Sequence, residues 1–115
     1  MGIRFEVEGR ALIVTLEGEL DHLQTERLRT QIDGAYEKSP CKHIIFNMAD
    51  VTFMDSSGIG MVIGRYKNAE KRGGQLVLAS MNDSLSRLFE VSGLSKIVLR
   101  AKTPADAAVI VGGSQ

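Results

Sequence analysis

The sequence predicts a single α/β domain: a mixed sheet of four to five strands with about four helices, in the order β-β-α-β-α-β-α-β-α. Three observations carry this expectation. The N-terminal segment alternates apolar and polar residues with the period of a half-buried strand, and a tight turn and a second strand follow at once. Residues 43–48 are nearly all apolar, the composition of a strand buried on both faces. After them, helix starts and stops alternate with short apolar runs, the pattern of crossover units joining parallel strands. At 115 residues the chain is long enough for one domain with its own core.

Residues 3–8 place Ile3, Phe5 and Val7 on one face and Arg4, Glu6 and Glu8 on the other. Glu8-Gly9-Arg10 is a turn and residues 11–16 a second strand, so the pair should be an antiparallel hairpin. Residues 17–21 read as a loop ending in Asp21, a good N-cap. The next helix should reach about Tyr36, with Leu28, Ile32 and Ala35 inward and Gln24, Glu26, Arg29 and Gln31 toward water. Lys38-Ser39-Pro40 ends it, because proline cannot continue a helix. Beyond the apolar strand, a helix from Ser57 to about Arg72 carries Ile59, Val62, Ile63 and Tyr66 on its buried face and stops at Gly73-Gly74. Residues 75–79 form another strand. Asn82-Asp83-Ser84 caps a short helix with Leu85, Leu88 and Phe89 inward, stopped at Gly93, and residues 97–99 form a last strand. Thr103-Pro104-Ala105-Asp106 opens the closing helix with a capping hydroxyl, a proline at the first helical position and an acid three after the cap. Its body is residues 107–111, and residues 1–2 and 112–115 should fray.

Composition excludes several classes of function. Fourteen basic and fourteen acidic side chains cancel, leaving no electrostatic footprint for direct binding of nucleic acid or an anionic membrane. No apolar run approaches the ~20 residues that span a bilayer. Met1-Gly2-Ile3-Arg4 lacks the order of a secretory signal, and Glu6 stands where myristoylation wants a hydroxyl. Cys41 is alone, so no internal disulfide forms; a reducing compartment, the cytoplasm, is expected, and the residue reads as an incidental free thiol. Two histidines and one cysteine argue against a metal site, and His43 reads as a strand-edge side chain rather than a ligand. No cofactor is expected.

The stretch Phe53-Met54-Asp55-Ser56-Ser57-Gly58-Ile59-Gly60 lies where strand gives way to helix and backbone N–H groups are left unpaired. Asp55 or Ser56 serves there either as an N-cap and nothing more, or a serine serves as a phosphate acceptor, since N–H groups and the helix dipole favour an anion. Loops 19–21, 55–57 and 80–83 should meet at one edge of the sheet and form an acidic, hydroxyl-bearing rim. They contain no lysine or arginine, and no Gly-x-x-x-x-Gly-Lys run exists, which speaks against a nucleotide pocket. Gly60, Gly64, Lys67 and Lys71 share a stripe opposite the apolar one. Close packing explains Gly58, but outward-facing Gly60 and Gly64 suit a face that another protein's backbone approaches, with lysines as charge partners. Asp21, His22 and Ser56 could meet as a hydrolase triad, but no oxyanion-hole glycine run or aromatic-lined pocket accompanies them.

Glu19-Leu20-Asp21-His22, the 53–60 stretch, Gly64-Arg65-Tyr66-Lys67 and Leu88-Phe89-Glu90-Val91-Ser92-Gly93-Leu94 occur in an order and spacing that resembles the STAS domains of anti-sigma-factor antagonists. The resemblance spans essentially the whole chain. Ser57, where general-stress antagonists usually carry threonine, and the Gly-Arg-Tyr-Lys run lean toward the sporulation branch, which antagonises the anti-sigma-F factor. The resemblance implies a non-enzymatic switch with no catalytic residues. In the family the serine after the aspartate, at the position of Ser56 here, is phosphorylated by the anti-sigma factor, itself an ATP-dependent serine kinase, and the resemblance implies the same of this chain. The unphosphorylated form binds that kinase and displaces the sigma factor; a PP2C-type phosphatase resets it. Partner binding is expected of Asp21, Asp55, Ser57, Gly58, Gly60, Gly64 and Lys67, and the free protein is expected to be a monomer. Leu23 stands where the family often has a second histidine. Two further classes are a STAS module of another partner-switching pathway and a STAS subunit of a lipid or anion transporter.

Overall fold

The computed structural model describes residues 2–112; Met1 and residues 113–115, among those expected to fray, lie outside the described residues. The elements are β1 (Ile3–Glu8), β2 (Ala11–Leu20), α1 (His22–Lys38), β3 (His43–Met54), α2 (Ser56–Lys71), β4 (Leu76–Ala79), α3 (Asp83–Val91), a 3-10 turn (Leu94–Lys96), β5 (Leu99–Ala101) and α4 (Pro104–Gly112). They build a five-stranded sheet in sequence order, β1-β2-β3-β4-β5, with β1 antiparallel to β2 and the other pairs parallel. This is the α/β class and element order that the sequence predicts.

That order has a geometric consequence. Each parallel strand is added on the same side of the last, so right-handed crossovers put α1, α2 and α3 on one face of the sheet. The order never reverses, so there is no switch-point crevice of the kind that holds cofactors in doubly wound folds. Under the three helices lies the main core, with Leu12, Val14, Leu16, Ile44, Phe46, Met48, Leu76 and Leu78 from the strands. The opposite face is narrower: Ala11, Ile13, Ile45, Val77 and Ala79 meet Ala107 and Val111 of α4 alone.

Local chemistry sets the helix starts. Asp21, Asn82 and Thr103 each accept a backbone N–H through a side-chain oxygen, from Gln24 (2.9 Å), Leu85 (2.8 Å) and Asp106 (3.0 Å). Gly73 adopts φ +75°, and the Gly74 N–H donates to the Ala69 carbonyl at 2.8 Å, closing α2 as its glycine pair requires. Arg72 then ties α2 to the turn before β3. Its Nη1 donates to the Cys41 and Tyr36 carbonyls at 2.8 and 3.1 Å, and its guanidinium stacks 4.0 Å above the Tyr36 ring. Cys41 is buried there.

Four expectations about extent are corrected. Residues 17–20 are strand and not loop: β2 runs on to Leu20, through register shifts between Thr15 and Glu17 and between Gly18 and Glu19. β3 continues to Met54 rather than Met48, and each extension supplies the other's partner. α2 starts at Ser56, not Ser57, because Asp55 is the cap. The last strand is 99–101 and not 97–99, because left-handed Gly93 (φ +86°) starts a 3-10 turn that uses up residues 94–96. Gly112 is the last residue of α4.

His43 is a core side chain, 1% exposed, whose Nδ1 accepts the Gln75 N–H at 3.0 Å. Burial pushes its pKa below the ordinary histidine value of 6.5, with Lys42 and Arg10 acting in the same direction. The unfolded chain then takes up a proton near pH 6.5 that the native state refuses. The contribution of His43 to stability is therefore flat above about pH 7.5 and falls as pH drops through 6.5 toward the lower native value. Urea midpoints measured from pH 8 to pH 5 should show this fall, and His43→Gln should flatten it.

Candidate functional site

β2 and β3 end side by side, Leu20 opposite Met54. Asp21 and Asp55 are therefore equivalent in position: each is the first residue beyond its strand, and each caps the helix that follows. Asp55 Oδ1 accepts the Ser57 N–H at 2.8 Å and the Gly58 N–H at 3.4 Å. Gly58 is buried beneath this turn. A Cβ there would press on the Met54 side chain and lie 2.9 Å from the Leu20 carbonyl oxygen, so close packing of strand ends and helix start accounts for this glycine.

Ser56 is the first residue of α2 and is exposed, and its hydroxyl makes no hydrogen bond among the described residues. Ser57 is half-buried. Its backbone N–H, not its hydroxyl, bonds to Asp55, and the hydroxyl makes no hydrogen bond among the described residues. The two serines thus differ in access: Ser56 is exposed to solvent, and Ser57 lines the groove beside α1. The Asp55 carboxylate already occupies the N-terminus of α2, and no ion pair engages Glu19, Asp21 or Asp55 among the described residues. A phosphate on Ser56 would add ~−1.5 to −2 charges beside these acids.

The third rim loop does not join the first two. β4 ends at Ala79, opposite Asn47 of β3, so loop 80–83 sits back from the rim while β3 runs on to Met54. It meets β3 partway, where Asn82 Nδ2 donates to the Val51 carbonyl at 3.5 Å. The overhang opens an apolar groove of about 310 Å³ against α3, lined by Phe53, Leu85, Leu88 and Val91. Phe53 is 46% exposed and Val91 79%. No hydrogen bond joins Asp21, His22 and Ser56 among the described residues; the Asp21 carboxylate is spent on the Gln24 N–H, so the triad geometry is not formed.

The helix stripes need one correction. The buried residues of α2 are Gly58, Met61, Val62, Arg65 and Ala69, while Ile59, Ile63 and Tyr66 are half-buried. Gly60 and Gly64 therefore flank the buried arc rather than oppose it. With His22, Glu26 and Arg29 of α1 they line a groove of about 340 Å³ between the two helices. Apart from the backbone of its own helix, neither glycine has an atom of the described residues within 4 Å of where a Cβ would stand. Lys67 and Lys71 are exposed.

Sequence reasoning missed Arg65. Its side chain is buried, and Nε stands 2.9 Å from Asp33 Oδ1, joining α2 to α1. Burial pulls its pKa below the usual guanidinium range and the nearby Arg29 adds to this, while Asp33 opposes both. The available signal was its spacing, three residues past Val62 and four past Met61, which puts a cation on the core-facing arc.

Comparison with known proteins places this geometry. The chain matches the STAS domain family over residues 2–107. It is 40% identical over 100 residues to the anti-sigma F factor antagonist of Paenibacillus polymyxa, spanning 85% of this chain and 86% of that one. Among solved structures it is similar to the anti-sigma factor antagonist SpoIIAA in its unphosphorylated form (TM-score 0.80, 30% identity, 96% of this chain and 97% of that one). It is similar also to the Bacillus cell fate determinant SpoIIAA in the phosphorylated form (TM-score 0.71, 30% identity, 95% and 99%).

Proposed function

Since this chain belongs to the STAS-domain family of anti-sigma factor antagonists, we propose that it is the phosphorylation-controlled arm of a partner switch. Unphosphorylated, it docks on an anti-sigma factor kinase and releases a sigma factor, sigma-F in the sporulation reading; phosphate on Ser56 ends the docking. The carrying observation is the exposed Ser56 hydroxyl at the start of α2, which makes no hydrogen bond among the described residues. It can reach a bound ATP without any rearrangement of its own fold. As Ser56 Oγ bonds to the γ-phosphorus, ADP leaves. No base contacts the hydroxyl among the described residues, so a group on the kinase takes its proton. A PP2C-type phosphatase restores the serine by hydrolysis. The site lies in the cytoplasm, where ATP and the sigma factor are.

The docking surface is read as centred on the rim, where Asp21, Asp55, Ser57 and Gly58 surround Ser56. Gly60, Gly64 and Lys67 continue the surface along α2. Mixing the protein with a preformed complex of the kinase and its sigma factor tests this. Release of the sigma factor by the unphosphorylated form alone supports the reading, and no release by either form refutes it. Which sigma factor is released decides between the sporulation and stress branches.

Gly60→Ala separates stability from binding. Apart from the helix's own backbone, nothing among the described residues lies within 4 Å of the new methyl, so the helix should gain ~1 kcal/mol in stability. If a partner's backbone approaches there, affinity should still fall about tenfold. Thermal melts and titration calorimetry on one preparation would check both signs.

A further inference from the structure

Arg65 is 6% exposed and, among the described residues, holds one ion pair through Nε, yet no hydrogen bond engages its forked end and its Nη1 is buried without a partner. Buried guanidinium donors are normally satisfied, and the planar fork matches a carboxylate in two parallel bonds. The side chain lines the α1–α2 groove that Gly60 and Gly64 leave open. Arg29 adds a second cation at the mouth, where it pairs with Glu26 at 3.1 Å. The groove begins at Ser57 and reaches Arg65 eight residues later, ~12 Å along the helix axis. A partner that covers Ser56 therefore passes over it.

We infer that this groove is an acid-binding pocket of the docking surface, in which Arg65 receives an Asp or Glu side chain of the anti-sigma factor kinase. The inference rests on the docking proposed above and names the chemistry that fixes its register. Gly60 and Gly64 let the partner's backbone come close enough for so short a side chain to reach the fork. The carboxylate gives Nη1 the partner it lacks in the free protein, so the contact forms only in the complex and adds specificity as well as affinity.

Arg65→Lys is the deciding variant. Lysine keeps a cation for Asp33 and so the tie between helices, but it has no fork. Binding of the kinase from the same organism should weaken tenfold or more, with a melting temperature close to wild type and a shallower dependence of affinity on salt. Arg65→Met should lose binding and stability together. Lysine binding as tightly as arginine would overturn the inference and leave Arg65 a structural tie; docking by an apolar segment of the kinase would give that same result. Wild type and Ser56→Asp measured alongside keep the two levels apart. Ser56→Asp losing binding while Arg65→Lys keeps it would remove only the pocket. Failure of the wild type to bind the kinase would overturn both.

Discussion

Ser56→Asp should reduce binding to the anti-sigma factor kinase by about a hundredfold or more, while Ser56→Ala binds as wild type and cannot be switched off. The sizes follow from the site. A carboxylate at position 56 joins Glu19, Asp21 and Asp55 on a rim where no ion pair engages any of the three among the described residues. The N–H groups of Ser57 and Gly58 are already taken by Asp55, so the helix start cannot absorb the new charge. A like charge pressed into an interface costs several kcal/mol, and ~2.8 kcal/mol is a hundredfold. Alanine loses little, because the hydroxyl has no hydrogen bond to forfeit among the described residues; stability should stay within ~0.5 kcal/mol. Calorimetric titration of both variants, with melts as controls, checks this pair. A hundredfold loss in the alanine variant would mean that the hydroxyl itself is a contact.

Gly74→Ala should cost the fold ~3 kcal/mol or more, lowering the melting temperature by about 10–20 °C. A Cβ at this position would overlap the Lys42 carbonyl and stand 3.1 Å from the His43 amide nitrogen. These are backbone atoms and cannot swing aside as a side chain can. The Lys42 carbonyl also accepts the Tyr36 hydroxyl at 2.7 Å, and the Lys42 and His43 N–H groups both donate to the Arg10 carbonyl at 3.0 Å. Relief by moving Lys42 would therefore strain α1 and β2 as well. A melting temperature within a few degrees of wild type would show that this junction gives more easily than its contacts suggest.

The legibility of the sequence follows the range of the interactions. Asp21, Asp55, Asn82 and Thr103 were readable as candidate caps because a cap bonds within three residues of itself. The element order was readable for the same reason, from alternation and punctuation. The overhang of β2 and β3 was not. Glu17-Gly18-Glu19 has the composition of a loop, and only pairing with Asp50, Val51 and Phe53 makes it strand. The rim was half legible: Asp21 and Asp55 do align, but loop 80–83 falls short because β3 outruns β4. Arg65 was hidden for a related reason. Its ion partner, Asp33, sits on another helix, and apolar periodicity treats a charged residue as solvent-facing. Where one chain segment decides, sequence suffices; where two segments must meet, it does not.

Mass-spectrometric mapping of the phosphosite, after incubation with ATP and the anti-sigma factor kinase, tests the central claim most directly. The account predicts a single phosphate, on Ser56. Phosphate on Ser57 or elsewhere, or none in a preparation that still binds the kinase, would contradict it.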